Sequence, residues 1–403
     1  MARLRWLSML YMCFALSSFA QDTPAPAATP GQPTSPAPPP PITLIPRSHE
    51  EREDRYRTQH RIILNVFVAD RSGKPVRGLK EDEFSILDKG QLRTISSFRE
   101  VEGSKGLVPA RVVLMLDAVN NSPREITNDR KGIEQYLKQS QMRLFYPTSI
   151  AILSGSGTRV LQASQERDAL LGELQMASRD IHQFDCANEG GGSEQVFTSI
   201  NLGTGTTILD GLHPDQKSGC LNKRFERSVS ALGRFASEQE NVPGRVILIW
   251  IGSGWPLLLN PEFQADSAAL RRNFFDNLVL VSTALREAQV TLDAVFSPDF
   301  YRKVELRSDH DNTFFNGVPT EDQVTASSLG LQVLAHQSGG KILMESKSLG
   351  EEIAKCIDDA ESYYAMSFDS PPAARPGEFH SLQVNVNKPE LTVRTNTGYY
   401  AQP

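Results

Sequence analysis

The sequence has few cysteines, no surplus of basic residues and, beyond residues 1–20, no long apolar segment. Its 403 residues include 42 Lys and Arg against 48 Asp and Glu, which gives a formal net charge of −6. A protein that binds nucleic acid normally carries a basic face, so we expect no nucleic-acid partner. Without a second long apolar stretch, the mature chain is expected to have no transmembrane span.

The one long apolar stretch, Trp6–Phe19, follows a short basic segment at the N-terminus. Ser18-Phe19-Ala20 fits the small-x-small rule for signal peptidase, so residues 1–20 are predicted to be a cleaved signal peptide. The alternative is an uncleaved membrane anchor, although the stretch is shorter than the roughly 20 residues that span a bilayer. We therefore expect an exported protein, periplasmic or extracellular.

Of the four cysteines, Cys13 would leave with the signal peptide and three would remain. Cys186 and Cys220 flank one loop-rich stretch, so a disulfide between them is our hypothesis for an oxidising compartment. Cys356 lies in a predicted helix and is expected to be buried as a small hydrophobic residue.

Composition and periodicity divide the rest of the chain. Residues 21–57 begin with Pro, Ala, Thr and Gln and end in a charged segment, which predicts a disordered linker. Residues 58–104 and 363–403 alternate polar and apolar side chains, as half-buried strands do. Residues 108–362 alternate strand and helix, which predicts a mainly parallel sheet covered on both faces, an α/β doubly wound domain. We infer that the two terminal segments form one β-sandwich-like module; two separate β-units are the alternative.

Two apolar runs predict the buried strands of the parallel sheet. Arg111–Leu116 runs into Asp117, and Val246–Ile251 runs into Gly252 and Ser253. In open α/β sheets ligands bind beyond the carboxyl ends of the strands. The polar residues after both runs are therefore candidates for a functional site.

The first run and the polar turn after it resemble the first strand and metal-binding loop of a von Willebrand factor type A (vWA) domain, which has a Rossmann-like sheet. The segment from Val68 to Phe84, with Asp70-x-x-Gly73-x-Pro75, and the ending Gly398-Tyr399-Tyr400 are similar to secreted VWFA-related proteins of acidobacteria. The resemblance implies a binding protein and names no partner.

The resemblance also implies a metal-ion-dependent adhesion site that holds Mg²⁺ or Mn²⁺ and captures a carboxylate of the partner. Asp117 matches the leading aspartate, Asn121 stands at the second serine of the motif and Thr206 matches its threonine. Val119 stands at the first serine and offers no oxygen, while Ser253 replaces the late aspartate. The alternative is a degenerate site in which Asp117 caps the next helix or binds local backbone amides.

Three further residues near these positions are expected to take part in partner binding. Asn120 and Ser122 follow Asp117 and offer oxygens that could substitute for the missing ligands. Trp255 follows the second apolar run, where it would either contact a partner or cover the edge of the sheet.

These patterns predict a protein-interaction or adhesion module rather than an enzyme. Neither Ser154-Gly155-Ser156-Gly157 nor Gly252-Ser253-Gly254 has the Gly-x-Ser-x-Gly spacing of a nucleophile elbow. A structural or envelope-assembly protein is the alternative function. In that case the β-module would bind and the vWA-like domain would be a metal-free scaffold.

Overall fold

The computed structural model describes residues 60–103, 110–181, 184, 214–240, 242–255, 268–296, 317–324, 330–343 and 348–401. The described residues form fifteen β-strands and six α-helices. The strands make one seven-stranded sheet and two four-stranded sheets. The predicted signal peptide and linker, residues 1–57, lie outside the described residues.

The seven-stranded sheet is mostly parallel, as predicted. Its strand order is β11-β10-β9-β5-β6-β7, and β8 also pairs with β6. Strands β5, β6, β9, β10 and β11 are parallel, whereas β7 and β8 run antiparallel to β6. The strand bounds are β5 Ala110–Asp117, β6 Arg143–Ser154, β7 Gly157–Val160, β8 Ser164–Glu166, β9 Arg245–Ile251, β10 Val290–Val295 and β11 Ile342–Leu343.

Helices cover both faces of this sheet because successive side chains of its strands point to opposite faces. In β9, Val246, Leu248 and Trp250 pack on one face, while the isoleucines between them pack on the other. The first face is covered by α3 Pro214–Gln239, α4 Ala268–Glu287 and α5 Leu331–Gln337. The second face is covered by α1 Pro123–Gln139, α2 Arg167–Ala177 and α6 Leu349–Ile357.

Strands from both ends of the chain share the two antiparallel sheets. One has the order β14-β1-β12-β4 and the other β15-β13-β2-β3. A hydrophobic core formed by side chains of both sheets, among them Leu64, Ile86, Met366 and Val384, joins them. The strand bounds are β1 Arg61–Ala69, β2 Phe84–Asp88, β3 Gln91–Arg93, β4 Ser97–Glu102, β12 Ser362–Asp369, β13 Glu378–Val386, β14 Thr392–Arg394 and β15 Gly398–Ala401.

Several element bounds differ from the sequence expectation. Periodicity predicts one helix over residues 323–336, but α5 begins after Gly330, whose extended backbone (φ −70°, ψ 150°) precedes the first helical turn. Apolar residues predict a strand over Ser149–Leu153, but β6 already begins at Arg143. Proline is tolerated in the first half of β6, because that half lacks a full set of ladder partners. Pro147 lies in that first half, before the pairing with β5 begins at Thr148.

Among the described residues, no helix is both long enough and apolar enough to cross a membrane.

Candidate functional site

The carboxyl ends of β5 and β9 bring together three of the residues predicted from sequence. The two strands are neighbours in parallel register, with Leu116 opposite Ile251. Asp117 therefore lies beside the segment that follows β9, and the Ser253 backbone N–H donates to Asn121 Oδ1 at 2.7 Å. Gly252 is required at this contact, since a Cβ there would lie 2.9 Å from the Asp117 Cβ.

Asp117 is fully buried, and its carboxylate accepts four hydrogen bonds. The Val119 and Asn120 backbone N–H groups donate to Oδ1 at 2.9 and 3.0 Å. The Asn120 side-chain amide donates to Oδ2 at 2.7 Å, and the Trp250 indole N–H donates to the same oxygen at 3.0 Å. Both oxygens are thus held by neutral donors of the protein itself.

The pKa of the Asp117 carboxyl is raised by burial, which penalises its charged form. Hydrogen bonds from Asn120, Trp250 and Val119 act against that rise by stabilising the carboxylate. The balance favours a structural role: the group closes the turn after β5 through local backbone amides, the alternative that the sequence left open.

The next residues of the turn are also committed to internal contacts. The Asn121 amide donates to Asp129 Oδ2 at 2.7 Å, so this side chain bridges α1 and the segment after β9. Ser122 caps the N-terminus of α1, where its Oγ accepts from the Glu125 N–H and the Glu125 carboxylate accepts from the Ser122 N–H. These contacts fix the first turn of α1 against the sheet.

Trp255 is buried at this edge, with 1% of its surface exposed. Its ring packs edge-to-face on Trp250 at a centroid distance of 6.0 Å and on Phe225 at 5.6 Å. The position corresponds to the alternative in which Trp255 covers the sheet edge, and a partner contact through its ring would need the edge to open. Asn120, 1% exposed, is likewise occupied by Asp117 and by Ser228 Oγ at 2.9 Å.

Other predicted site residues fall outside this cluster. Thr206 and Cys186 lie outside the described residues, so the Cys186–Cys220 pairing stays a prediction, although Cys220 is disulfide-bonded. Cys356 is buried as a free thiol.

The described residues do not fit a Mg²⁺ or Mn²⁺ site at this edge. Such an ion needs about six oxygen ligands in near-octahedral order. Within the described part of the chain, Asn120 Oδ1 and Ser253 Oγ have no hydrogen-bond partner, but neither atom carries charge. The Asp117 carboxylate could bind a metal ion only if it gave up hydrogen bonds from the protein donors that now surround it. No three His, Cys, Asp or Glu side chains in the described part of the chain gather as metal ligands.

An open cleft of about 430 Å³ lies beside the closed Asp117 cluster. One wall is the β6–β7 turn, which is at the carboxyl edge because Leu153 pairs with Asp117. The other wall is α3, whose Ser228 contacts Asn120 and whose Arg224 donates to the Val119 carbonyl. The side chains at the cleft include Thr158, Phe184, Lys223, Arg227, Ser230 and Arg234.

Sequence reasoning missed this cleft. Lys223, Arg227, Ser230 and Arg234 have the i, i+4, i+7, i+11 spacing of one helix face, so the basic stripe was visible within the predicted helix. The contribution of Phe184 to the cleft was not visible, because it depends on tertiary contacts such as that of the Phe184 backbone N–H with the Ala118 carbonyl.

A second buried polar cluster lies in the other half of the parallel sheet. Asp293 of β10 is fully buried and accepts from the Lys341 N–H at 2.6 Å. Asp359 pairs with Lys341 Nζ at 2.8 Å and with Arg394 of β14. Burial, and then the Asp359 carboxylate, raise the pKa of Asp293 to about 6.

Comparisons with known proteins give no family assignment. No protein-family model and no curated protein matches the chain. The manganese-loaded TRAP protein of Plasmodium vivax is similar at 10% identity and a TM-score of 0.31, over 74% of this chain and 96% of that chain. Proximal thread matrix protein 1 of the mussel byssus is 8% identical with a TM-score of 0.27, over 66% and 49%. Human COPII-coat protein Sec24c is 7% identical with a TM-score of 0.27, over 76% and 46%. At these TM-scores the similarities carry no functional argument.

Proposed function

We propose that this protein is an exported, non-enzymatic interaction module of the vWA type, which binds a protein partner at the carboxyl edge of its parallel sheet. The observation that carries the proposal is the open cleft between α3 and the β6–β7 turn. The cleft lies where ligands of open α/β sheets gather. The resemblance to the acidobacterial VWFA-related proteins adds the expectation of a binding role.

The Asp117 cluster supports the binding face as a rigid floor. Its hydrogen bonds connect β5, β9 and α1, and Ser228 extends them to α3. A fixed floor lowers the entropy lost when a partner binds. In this proposal the partner binds without a metal ion on Asp117, since both carboxylate oxygens are engaged.

Site-specific photo-crosslinking tests the proposal and its alternative together. A benzoylphenylalanine replaces either Thr158, at the cleft, or Leu92, a 71% exposed residue of the antiparallel sheets. Each full-length variant is irradiated in envelope and culture-medium fractions of the source cells, and adducts are identified by mass spectrometry.

We expect one saturable adduct at Thr158 that excess unmodified protein suppresses. A saturable adduct at Leu92 alone would replace this proposal by the envelope-assembly alternative. If neither position gives a saturable adduct, the result would contradict an interaction role.

In the same fractions, a mature N-terminus at Gln21 would demonstrate export, whereas an intact Met1 in the cytoplasm would contradict it.

A further inference from the structure

The cleft beside the Asp117 cluster differs in charge from the chain as a whole. Three of its side chains, Lys223, Arg227 and Arg234, are cationic and one, Glu226, is anionic. The lining therefore carries a net charge of +2, whereas the chain carries −6. A concave basic surface on an acidic protein focuses positive electrostatic potential at a place where a negatively charged group could enter.

The three cations are not equivalent. Arg227 is positioned, because its guanidinium donates to the Gly155 carbonyl at 3.2 Å and lies 5.8 Å from the centre of the Phe184 ring. Phe184 is 1% exposed, so it forms a fixed wall. Lys223 and Arg234 make no ion pair or hydrogen bond with the described residues, and Arg234 is exposed. Their charges are therefore available to a ligand.

The cations are spaced to match an extended peptide. Arg234 lies eleven positions after Lys223, which is about 16 Å along a helix that rises about 1.5 Å per residue. An extended chain covers that distance in about five residues at roughly 3.3 Å each. A short acidic segment could thus place carboxylates opposite all three cations.

We propose that this cleft binds an acidic segment of the protein partner, about five residues long, through ion pairs with Lys223, Arg227 and Arg234. The proposal rests on the interaction function above and specifies its ligand chemistry.

Fluorescence anisotropy with fluorescein-labelled hexaglutamate tests the proposal on the full-length protein at low ionic strength. The test variant is Lys223→Glu with Arg234→Glu. The matched control is Lys131→Glu with Arg99→Glu, which reverses one exposed Lys and one exposed Arg elsewhere. Both variants change the net charge by the same amount, so long-range repulsion of the peptide is equal.

We expect the test variant to bind hexaglutamate on the order of tenfold more weakly than wild type, and the control to bind within about twofold. Raised salt should weaken wild-type binding, and labelled hexaglutamine should not bind. Equal loss in both variants, or no binding of hexaglutamate at about 1 mM wild-type protein, would overturn the proposal. Tighter binding of labelled hexathymidylate would replace the acidic peptide by a nucleic acid.

Two further measurements keep the result interpretable. Urea unfolding should place both variants within about 1 kcal/mol of wild type, because three of the substituted side chains are exposed and Lys223 is half-buried. If the test variant unfolds, Lys223→Gln with Arg234→Gln replaces it. The Thr158 crosslink is then repeated in the test variant. An adduct that persists there unweakened would overturn acidic capture while leaving the interaction function intact.

Discussion

Two buried aspartates of the same parallel sheet, Asp117 and Asp293, are held in different ways. Asp117 ends β5 and is surrounded by neutral donors that use both of its oxygens. Asp293 lies within β10, beside a second carboxylate, that of Asp359. Burial raises the pKa of both groups. The neighbours differ: hydrogen-bond donors oppose the rise at Asp117, whereas the Asp359 carboxylate adds to the rise that burial causes at Asp293.

Removing the Asp117 carboxylate should produce the largest loss of stability. In Asp117→Ala, two backbone N–H groups and the side-chain donors of Asn120 and Trp250 stay buried without their acceptor. Each such donor costs about 1 to 3 kcal/mol, less than additively, so we expect the free energy of unfolding to fall by about 4 kcal/mol. Urea unfolding measures this loss.

The control for that substitution is Asp180→Ala, at an exposed aspartate just beyond α2. It should change the free energy of unfolding by about 0.5 kcal/mol or less. A similarly small effect of Asp117→Ala would show that its four hydrogen bonds do not anchor the edge.

Asp293→Asn should change the pH dependence of stability. The folded-state pKa is raised from 3.8 to about 6, so ionising the buried carboxyl opposes folding. Its stabilising contribution is present below pH 3.8 and is lost as the pH rises through about 6. Relative to the variant, wild type should lose roughly 3 kcal/mol over that window, because one pKa unit is equivalent to about 1.4 kcal/mol.

Urea unfolding of wild type and Asp293→Asn at several pH values between about 4.5 and 8 covers the upper part of that window, where roughly 2 kcal/mol of the loss should be seen. A difference in the free energy of unfolding that stays constant with pH would remove the contrast between the two aspartates.

The two adjacent tryptophans isolate the contribution of one donor to the Asp117 cluster. Both rings are buried and contact each other. The Trp250 N–H donates to Asp117, whereas the Trp255 N–H has no hydrogen-bond partner among the described residues. Trp250→Phe and Trp255→Phe remove similar ring volumes. We expect Trp250→Phe to lower the free energy of unfolding by about 2 kcal/mol more, the value of a hydrogen bond to a charged group.

Chemical denaturation of both variants gives that comparison, and Trp250→Phe with Asp117→Ala completes a double-mutant cycle. Equal costs for the two single substitutions would mean that the indole N–H adds nothing to the anchoring of Asp117.

The smallest expected effect is that of metal ions. Thermal unfolding in EDTA and in about 10 mM Mg²⁺ or Mn²⁺ should give the same midpoint, because the Asp117 oxygens are occupied by protein donors. A site with a Kd of about 1 mM would instead stabilise by roughly 1.4 kcal/mol. That corresponds to a rise of about 3 to 5 °C. Such a rise, if Asp117→Ala abolishes it, would restore the metal-dependent adhesion site.

The sequence predicted most of the fold where apolar periodicity is strong. The runs that end at Asp117 and Ile251 are central neighbours in the parallel sheet. The amphipathic spacing of Ile126, Ile133 and Leu137 predicts a helix over Pro123–Gln139, and α1 has these bounds. Prediction was poorest where a short element depends on its surroundings. Periodicity predicted one helix over residues 323–336, whereas the described residues there form a 3₁₀ turn, Glu321–Gln323, and a short helix, Leu331–Gln337.

The sequence predicted where the candidate site lies but not how its side chains contact one another. Parallel strands must end at the same edge, so the proximity of Asp117, Asn121 and Ser253 followed from the strand assignments. No local pattern could show that the Trp250 indole reaches Asp117, since that contact depends on the register of β5 against β9. The burial of Trp255 and the cleft along α3 depend on packing between distant segments in the same way.

The amino-acid sequence by itself determined the alternation of strands and helices, the two apolar strands at the centre and the polar turn at their ends, because these follow from short-range periodicity. The tertiary structure decided how the polar groups are used. It placed four donors around Asp117, two carboxylates near each other at Asp293, and Lys223 and Arg234 beside an open cleft. Hydrogen bonding and charge depend on distances between side chains that are far apart in the chain, and only folding sets those distances.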